Sequence, residues 1–204
     1  MKKLLLLIVL FISVGNGIWA QFPKAIFPGD YPDPSILRDG KDYYMTHSPF
    51  YYAPGFLIWH STDLMHWEPV CRALPEYEGS AMAPDLLKYQ GRYYIYYPTS
   101  TGENYVIYAD DIRGPWSKPI KLEVKGIDPG HVVGEDGKRY LFTNNGWITP
   151  LSDDGLKVTG KSRKVYDGWE YPANWVTEGK DMYLESPKLL YKDGYYYMDG
   201  MGQK

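Results

Sequence analysis

A single cysteine, Cys71, stands in 204 residues, so no internal disulfide can form. No partner histidine sits near it in a nucleophile motif, and a small, buried apolar role is expected for it. Histidine is also scarce: His47, His60, His66 and His131 show no metal-ligand spacing such as HExxH. Positive charge is neither abundant nor clustered. Lys and Arg number 22 against 25 Asp and Glu, for a net charge of -3, which leaves no electrostatic footprint for nucleic acid. Beyond the first twenty residues no apolar run is long enough to cross a bilayer, which takes about 20 residues.

What the chain has instead is aromatic residues and turn formers. Aromatics make up 17%, with 21 tyrosines, beside 21 glycines and 16 prolines. Large amphipathic rings favour strands and also serve as sugar platforms. Gly and Pro in this number suit many short strands joined by turns.

Residues 1–20 read as a secretory signal peptide. Lys2 and Lys3 precede an apolar run from Leu4 to Val14, and Ala20 offers a small residue at the cleavage point. Ile18 at the minus-three position is less ideal. The apolar run is short for a membrane anchor, and no cysteine follows it for lipid attachment. The mature chain, residues 21–204, is therefore expected to be secreted or periplasmic, free of the membrane after cleavage.

An internal repeat organises the mature chain. "PDPSILRDGKDYYMTHS" from Pro32, "APDLLKYQGRYYIYYPTS" from Ala83, "IDPGHVVGEDGKRYLFTNN" from Ile127 and "ESPKLLYKDGYYYMDG" from Glu185 share one plan. Each sets an acid beside a proline, follows it with an alternating apolar run, turns tightly at a glycine and enters a Tyr-rich strand. Alternation on both sides of a glycine turn marks a β-hairpin. After the first two hairpins comes a further strand, a polar turn and a Trp-bearing strand, with Trp67 and Trp116 in matching places. Their expected role is packing within a blade.

Four strands recurring every 40 to 50 residues or so are the signature of a β-propeller. The blades are expected at about 31–72, 82–122 and 126–175, with a fourth starting near 184 and stopping after two strands. A ring closed at four blades is disfavoured against a larger, truncated one, because open edges are costly. The chain as written is thus expected to be a fragment with little or no activity.

Asp33, Asp85, Asp128 and Glu185 align in the repeat. The first strand of each blade lines a propeller's channel, so acids at one register would gather around one cavity. Alone, a Pro-Asp-Pro is most often a turn, and Asp30 and Asp39 are read that way. Together, carboxylates around a cavity fit glycoside hydrolysis, in which one acid activates water and another protonates the leaving oxygen.

Three segments in order, "GDYPDPSILRDGKDYYMTHS", "GIDPGHVVGEDGKRYLF" and "ESPKLLYKDGYYYM", resemble glycoside hydrolase family 43. The blade endings "STDLMHWEPV" and "ADDIRGPWSKP" resemble it too. The similarity runs from about Pro28 to the end. It implies an all-β, five-bladed propeller, truncated here within the fourth blade, and an inverting glycosidase of arabinofuranosidase or xylosidase type. The substrates implied are oligosaccharides or polysaccharides containing arabinose, xylose or galactose. By the same resemblance Asp33 matches the general base, Asp128 the acid that tunes and orients the proton donor, and Glu185 the general acid.

Ser186 is a departure from the family's usual Gly or Ala after that Glu. Glu178 is a weaker competitor, lacking the following proline and strand. Asp85 matches no catalytic member and is read as structural or as a sugar-hydroxyl partner. His131 follows Asp128 where the family often has a Phe-containing run, and is a candidate sugar contact or wall residue. Phe50, with Tyr51, and the loop residues Trp169 and Trp175 are candidate sugar platforms, the two tryptophans weighed evenly against a core role. Trp147, Tyr166 and Tyr171 share that loop. No cofactor is expected within the chain; many family members hold an axial cation with a histidine from the last blade, outside this sequence. The alternative to an enzyme is a non-catalytic sugar-binding propeller. Retention of Asp33, Asp128 and Glu185 argues against it.

Overall fold

The computed structural model describes residues 25–77, 79–167 and 184–202. Trp169, Trp175, Glu178, Tyr171 and the N-terminal leader lie outside the described residues. Apart from one 3₁₀ turn at Asn144–Gly146, every regular element among the described residues is a β-strand. The first sheet contains β1 (Ser35–Asp39), β2 (Asp42–Thr46), β3 (Gly55–Ser61) and β4 (Glu68–Leu74). The second contains β5 (Asp85–Tyr89), β6 (Arg92–Pro98), β7 (Glu103–Ala109) and β8 (Ile120–Lys125). The third contains β9 (Gly130–Val133), β10 (Arg139–Thr143), β11 (Trp147–Pro150) and β12 (Arg163–Lys164). β13 (Leu184–Lys192) and β14 (Tyr195–Gly202) pair as a hairpin.

Each sheet is an antiparallel meander in chain order. Successive first strands lie side by side, β1 by β5, β5 by β9 and β9 by β13. This is the radial arrangement of propeller blades, with first strands innermost.

The glycine turns explain the tight hairpins. Asp39 pairs with Asp42 across Gly40 and Lys41, and Gly40 takes φ +65°. Gln90–Gly91 and Asp193–Gly194 both place two consecutive residues at positive φ. That is the primed two-residue turn whose twist matches the strands it joins. The Trp expectation needs one adjustment. Trp67 and Trp116 precede β4 and β8 rather than lying in them, and each indole N–H bonds a carbonyl a turn back, on Leu64 and Ile112. Cys71 is half-buried, with its thiol against the Ile112 carbonyl at 3.3 Å and its pKa raised by burial.

Strand β6, "RYYIYYP", is buried almost throughout, because its two faces serve two different cores. Tyr93, Ile95 and Tyr97 pack with Phe56, Ile58 and Leu74 between the first two blades. Tyr94 and Tyr96 pack with Leu141 and Leu151 between the second and third. Side chains alternate across a strand, so a central blade strand reads as a continuous apolar run rather than as apolar–polar alternation. Each fully buried aliphatic of this kind contributes about 1.5–3 kcal/mol.

Between the second and third blades sits Arg139, only 1% exposed. Its guanidinium lies 4.5 Å from the Tyr89 ring centre and 4.4 Å from that of Tyr94. It donates to the Tyr96 hydroxyl at 3.0 Å, to His131 Nε2 at 2.9 Å and to the Asp153 carbonyl at 3.3 Å. A buried charge persists only when it is paired or fully hydrogen-bonded, and here aromatic faces complete the enclosure.

Candidate active site

The inner end of each blade has one backbone signature. Asp33, Ala83, Asp128 and Ser186 all lie at positive φ, between +33° and +55°, and all precede a proline. Proline disfavours the right-handed helical region in the residue before it, and the left-handed turn then aims that residue's side chain away from the strand that follows. The structure therefore corrects the expected register. Asp33 and Asp128 are true equivalents, whereas Asp85 stands two residues after Ala83 and Glu185 one residue before Ser186. Acid beside proline was a composition match at those two blades, not a geometric one.

Each left-handed acid is fastened to the next blade. The Ser48 hydroxyl donates to Asp33 Oδ2 at 2.5 Å and accepts the Ala83 N–H at 2.5 Å. Ser48 is buried, so Asp33 is tied through it to the turn of the second blade. Asp128 needs no intermediary: its Oδ2 accepts the Ser186 N–H at 2.9 Å. That bond sets Asp128 beside the residue following Glu185.

Burial raises the Asp128 pKa, and the Asp33 charge pushes it further up; the Ser186 N–H and the Lys188 ammonium act in the opposite sense. Asp33 and Asp128 thus share one electrostatic environment, with Glu185 at the adjoining junction.

One register further along, a second set of ties runs from blade to blade. The Ser35 hydroxyl accepts the Leu86 N–H at 2.9 Å, and Asp85 Oδ2 accepts the His131 N–H at 2.7 Å. Gly130 occupies the same place in the third blade, and a side chain there would run into the Pro187 carbonyl. The close approach of the fourth blade is the reason for glycine at this position. Lys188 occupies it in the fourth blade and reaches back. Its Nζ bonds Asp85 Oδ1 at 3.0 Å, the Pro84 carbonyl at 3.2 Å and the Pro129 carbonyl at 3.0 Å.

Asp85 is accordingly engaged on both oxygens, which favours its structural reading over a sugar contact. His131 is also committed. Its ring stacks on Tyr96 at 5.8 Å and accepts from Arg139. Burial, then the Arg139 charge, lowers its pKa to about 4. Nε2 is the acceptor, so the neutral ring carries its proton on Nδ1. It serves as a wall residue between blades rather than as a free sugar ligand.

Phe50, at φ +48°, bridges to Ala81 and lines a cavity of about 500 Å³ with Tyr31, His47, Ser48 and Trp59. Ser48 links that cavity to Asp33. Tyr51 is exposed. Asp39, read as a turn residue, also accepts from Lys88 at 2.7 Å and from Tyr93 at 2.6 Å, tying the outer end of the first blade to the second.

Among the described residues no three His, Cys, Asp or Glu side chains come together as metal ligands. The inward carbonyls of Pro84 and Pro129 are taken by the Lys188 ammonium. Ser48, Lys188 and Arg139 went unnoticed in the sequence. Only Lys188 carried a legible signal, a positive charge at the inner-strand position held elsewhere by Ser35, Asp85 and Gly130.

The family model for glycosyl hydrolases family 43 matches residues 22–199. A xylosidase/arabinosidase of Butyrivibrio fibrisolvens is 34% identical over 199 residues, covering 85% of this chain and 37% of that protein. The non-reducing end α-L-arabinofuranosidase BoGH43B of Bacteroides ovatus is 33% identical over 156 residues, covering 68% of this chain and 29% of that one. Among solved structures, the GH43 BlXynB protein of Bacillus licheniformis superposes with a TM-score of 0.72 at 33% identity, over 86% of this chain and 37% of that one. The chain thus spans about a third of the length of such relatives. The described residues supply three four-stranded blades and two strands of a fourth, in the five-bladed propeller fold of these enzymes. By the family match and these identities, the chain belongs to glycosyl hydrolases family 43.

Proposed function

We propose that the protein is a glycosidase that cleaves O-glycosidic bonds in xylose- or arabinose-containing oligosaccharides or polysaccharides, with inversion. Asp33 takes a proton from water as that water attacks the anomeric carbon. Glu185 gives a proton to the departing glycosidic oxygen. Asp128, beside both, holds the Glu185 segment through Ser186 and adds the negative field that favours a protonated neighbour.

The observation that carries this reading is the position of Asp128. It feels the Asp33 charge and accepts the N–H of the residue next to Glu185. One carboxylate thus stands at both junctions, that of the base and that of the acid. The relatives named as xylosidases and arabinosidases support the substrate class. Phe50 and the cavity it lines supply an aromatic wall suited to a sugar face, which Ser48 connects to Asp33. Trp169 and Trp175 are proposed as further platforms.

The test is hydrolysis of aryl β-xylosides and aryl α-L-arabinofuranosides by the full-length protein, with the product anomer read by NMR. Inversion requires about 6.5–9.5 Å between the Asp33 and Glu185 carboxyls to admit the water. Asp33→Asn should abolish turnover while leaving the melting temperature close to the parent's. Near-parental turnover in that variant moves the base elsewhere, and a retained anomer refutes the mechanism.

Residues 1–20 are further proposed to direct export, with a mature chain starting at Gln21 outside the cytoplasm. N-terminal sequencing of the exported protein tests this, and an intact Met1 would refute it.

A further inference from the structure

Three consecutive residues at the start of β13 fasten the fourth blade to its neighbours. The Ser186 N–H binds Asp128. Pro187 presses its carbonyl onto Gly130. Lys188 sends its ammonium to Asp85, to the Pro84 carbonyl and to the Pro129 carbonyl. Glu185 immediately precedes this triplet, and the β13–β14 pairing shifts register between Glu185 and Lys188. Glu185 itself stays paired with Met201 across the hairpin, and the blade-to-blade ties fix the segment that follows it.

We propose that Lys188 is the positioning residue for the acid side of the site: one ammonium, bound by acceptors from two other blades, holds Glu185 beside Asp128 and supplies a fixed positive charge there. An ammonium has three N–H donors and no acceptor. All three have protein partners at hydrogen-bonding distance, so none is left for a sugar hydroxyl. Lys188 is thus neither a substrate ligand nor a proton donor, and it acts through the groups it holds. Two of its acceptors are carbonyls of the prolines that follow Ala83 and Asp128. A single side chain thereby gathers the inner turns of the second, third and fourth blades at one point.

The ionisable groups around it are Asp85 on β5, Asp128 before β9, Asp33 acting through Asp128, and Glu185 on its own strand. His131 is present only through its backbone bond to Asp85. Acids outnumber the base, and each gains from the ammonium in its charged form. Replacing Lys188 by a neutral side chain removes a charge that lowers the Asp128 pKa, which then rises.

The kinetic arm of the test rests on the glycosidase reading; the titration arm does not. In the full-length protein, Lys188→Met and Lys188→Arg are compared with the parent by the pH dependence of kcat/KM on an aryl glycoside. The same proteins are ¹³C-labelled at aspartate carboxyls, with Asp128 assigned through Asp128→Asn, and titrated by NMR. Lys188→Met should lower kcat about tenfold to a hundredfold with KM little changed. The Asp128 titration should move upward. Lys188→Arg should keep the Asp128 titration near the parent's while losing part of kcat, because a planar fork does not fit a point-charge site. If Lys188→Met does not fold, Lys188→Gln gives the same readouts. An unchanged Asp128 titration overturns the proposal whether or not the protein turns substrate over. A shifted titration in a parent that hydrolyses no glycoside supports the proposal and refutes the enzyme reading alone.

Discussion

Gly130→Ala is the smallest change expected to separate the carboxylates. A methyl group built on Gly130 stands 3.0 Å from the Pro187 carbonyl carbon, closer still to its oxygen, and 3.3 Å from Leu189 Cδ1. Carbon atoms in comfortable contact sit about 3.5–4.0 Å apart. The obstacle is backbone rather than a flexible side-chain end, so relief comes from moving the start of β13 outward by something on the order of an ångström. Glu185 and Ser186 lie on that segment.

The Ser186 N–H to Asp128 bond, 2.9 Å long, stretches past useful length with such a movement. A hydrogen bond to a charged acceptor contributes about 1.5–3 kcal/mol, and overpacking costs about 1–3 kcal/mol. A misplacement near one ångström at a reacting group costs about a hundredfold in rate. Gly137→Ala is the control in the same blade. Gly137 sits at φ +75° with open space around it, so alanine there carries only the left-handed cost of about 1–2 kcal/mol. In the full-length protein, kcat on an aryl glycoside and the thermal melt are measured for both variants. Gly130→Ala should lose about a hundredfold in kcat, against less than about threefold for Gly137→Ala. If both melt alike and Gly130→Ala keeps parental kcat, the junction at Pro187 does not set the acid geometry.

Ser48→Ala removes the donor to Asp33 and leaves the Ala83 N–H without its acceptor; a loss of about 1–3 kcal/mol in a denaturant melt is expected, and an unchanged melt would contradict the tie. Asp128→Asn tests the raised Asp128 pKa. The folded state holds that proton more tightly than the unfolded chain, so ionisation of Asp128 costs stability as pH rises from near 3.8 through the higher folded value. The variant should therefore gain stability over the parent at pH 7, with the gain fading toward pH 3, and a gain independent of pH would refute the cause. His131 works in the opposite direction. Its folded pKa near 4, against 6.5 for the free ring, means that acid favours the unfolded chain as pH falls through that window, and His131→Gln should flatten the stability curve between those values.

Much of the fold could be read from the sequence because the repeat unit coincides with a structural unit. A glycine turn between Tyr-rich runs can do little but form a hairpin, and four hairpins at a steady interval leave few architectures. The finer register was harder. Asp85 and Glu185 each stand near a proline in sequence, and proximity to proline was the cue. The physical cue is narrower, namely which residue immediately precedes the proline and so takes the left-handed turn. Asp33 and Asp128 meet it, while Ala83 and Ser186 meet it without being acids. His131 was ambiguous for a related reason. Its place next to Asp128 in sequence suggested the cavity, yet an inner strand sends alternate side chains to opposite sides, and Arg139, eight residues on, claims the ring.

Lys188 and Gly130 show why such residues resist reading one blade at a time. Each is unremarkable within its own strand. Gly130 matters because Pro187 of the next blade lies against it, and Lys188 because Pro84, Asp85 and Pro129 of earlier blades converge on its ammonium. A repeat alignment compares positions that are equivalent, but the site depends on how equivalent positions differ. At the inner-strand position the blades present Ser35, Asp85, Gly130 and Lys188 in turn. The first two accept a backbone N–H from the next blade, the third makes room for the Pro187 carbonyl, and the fourth donates back to two blades. An identical side chain at all four would repeat one bond around the axis and leave the acids equally spaced. The break in symmetry gives the fourth blade its own ties to the second and third, through Lys188 and through the Ser186 N–H next to Glu185.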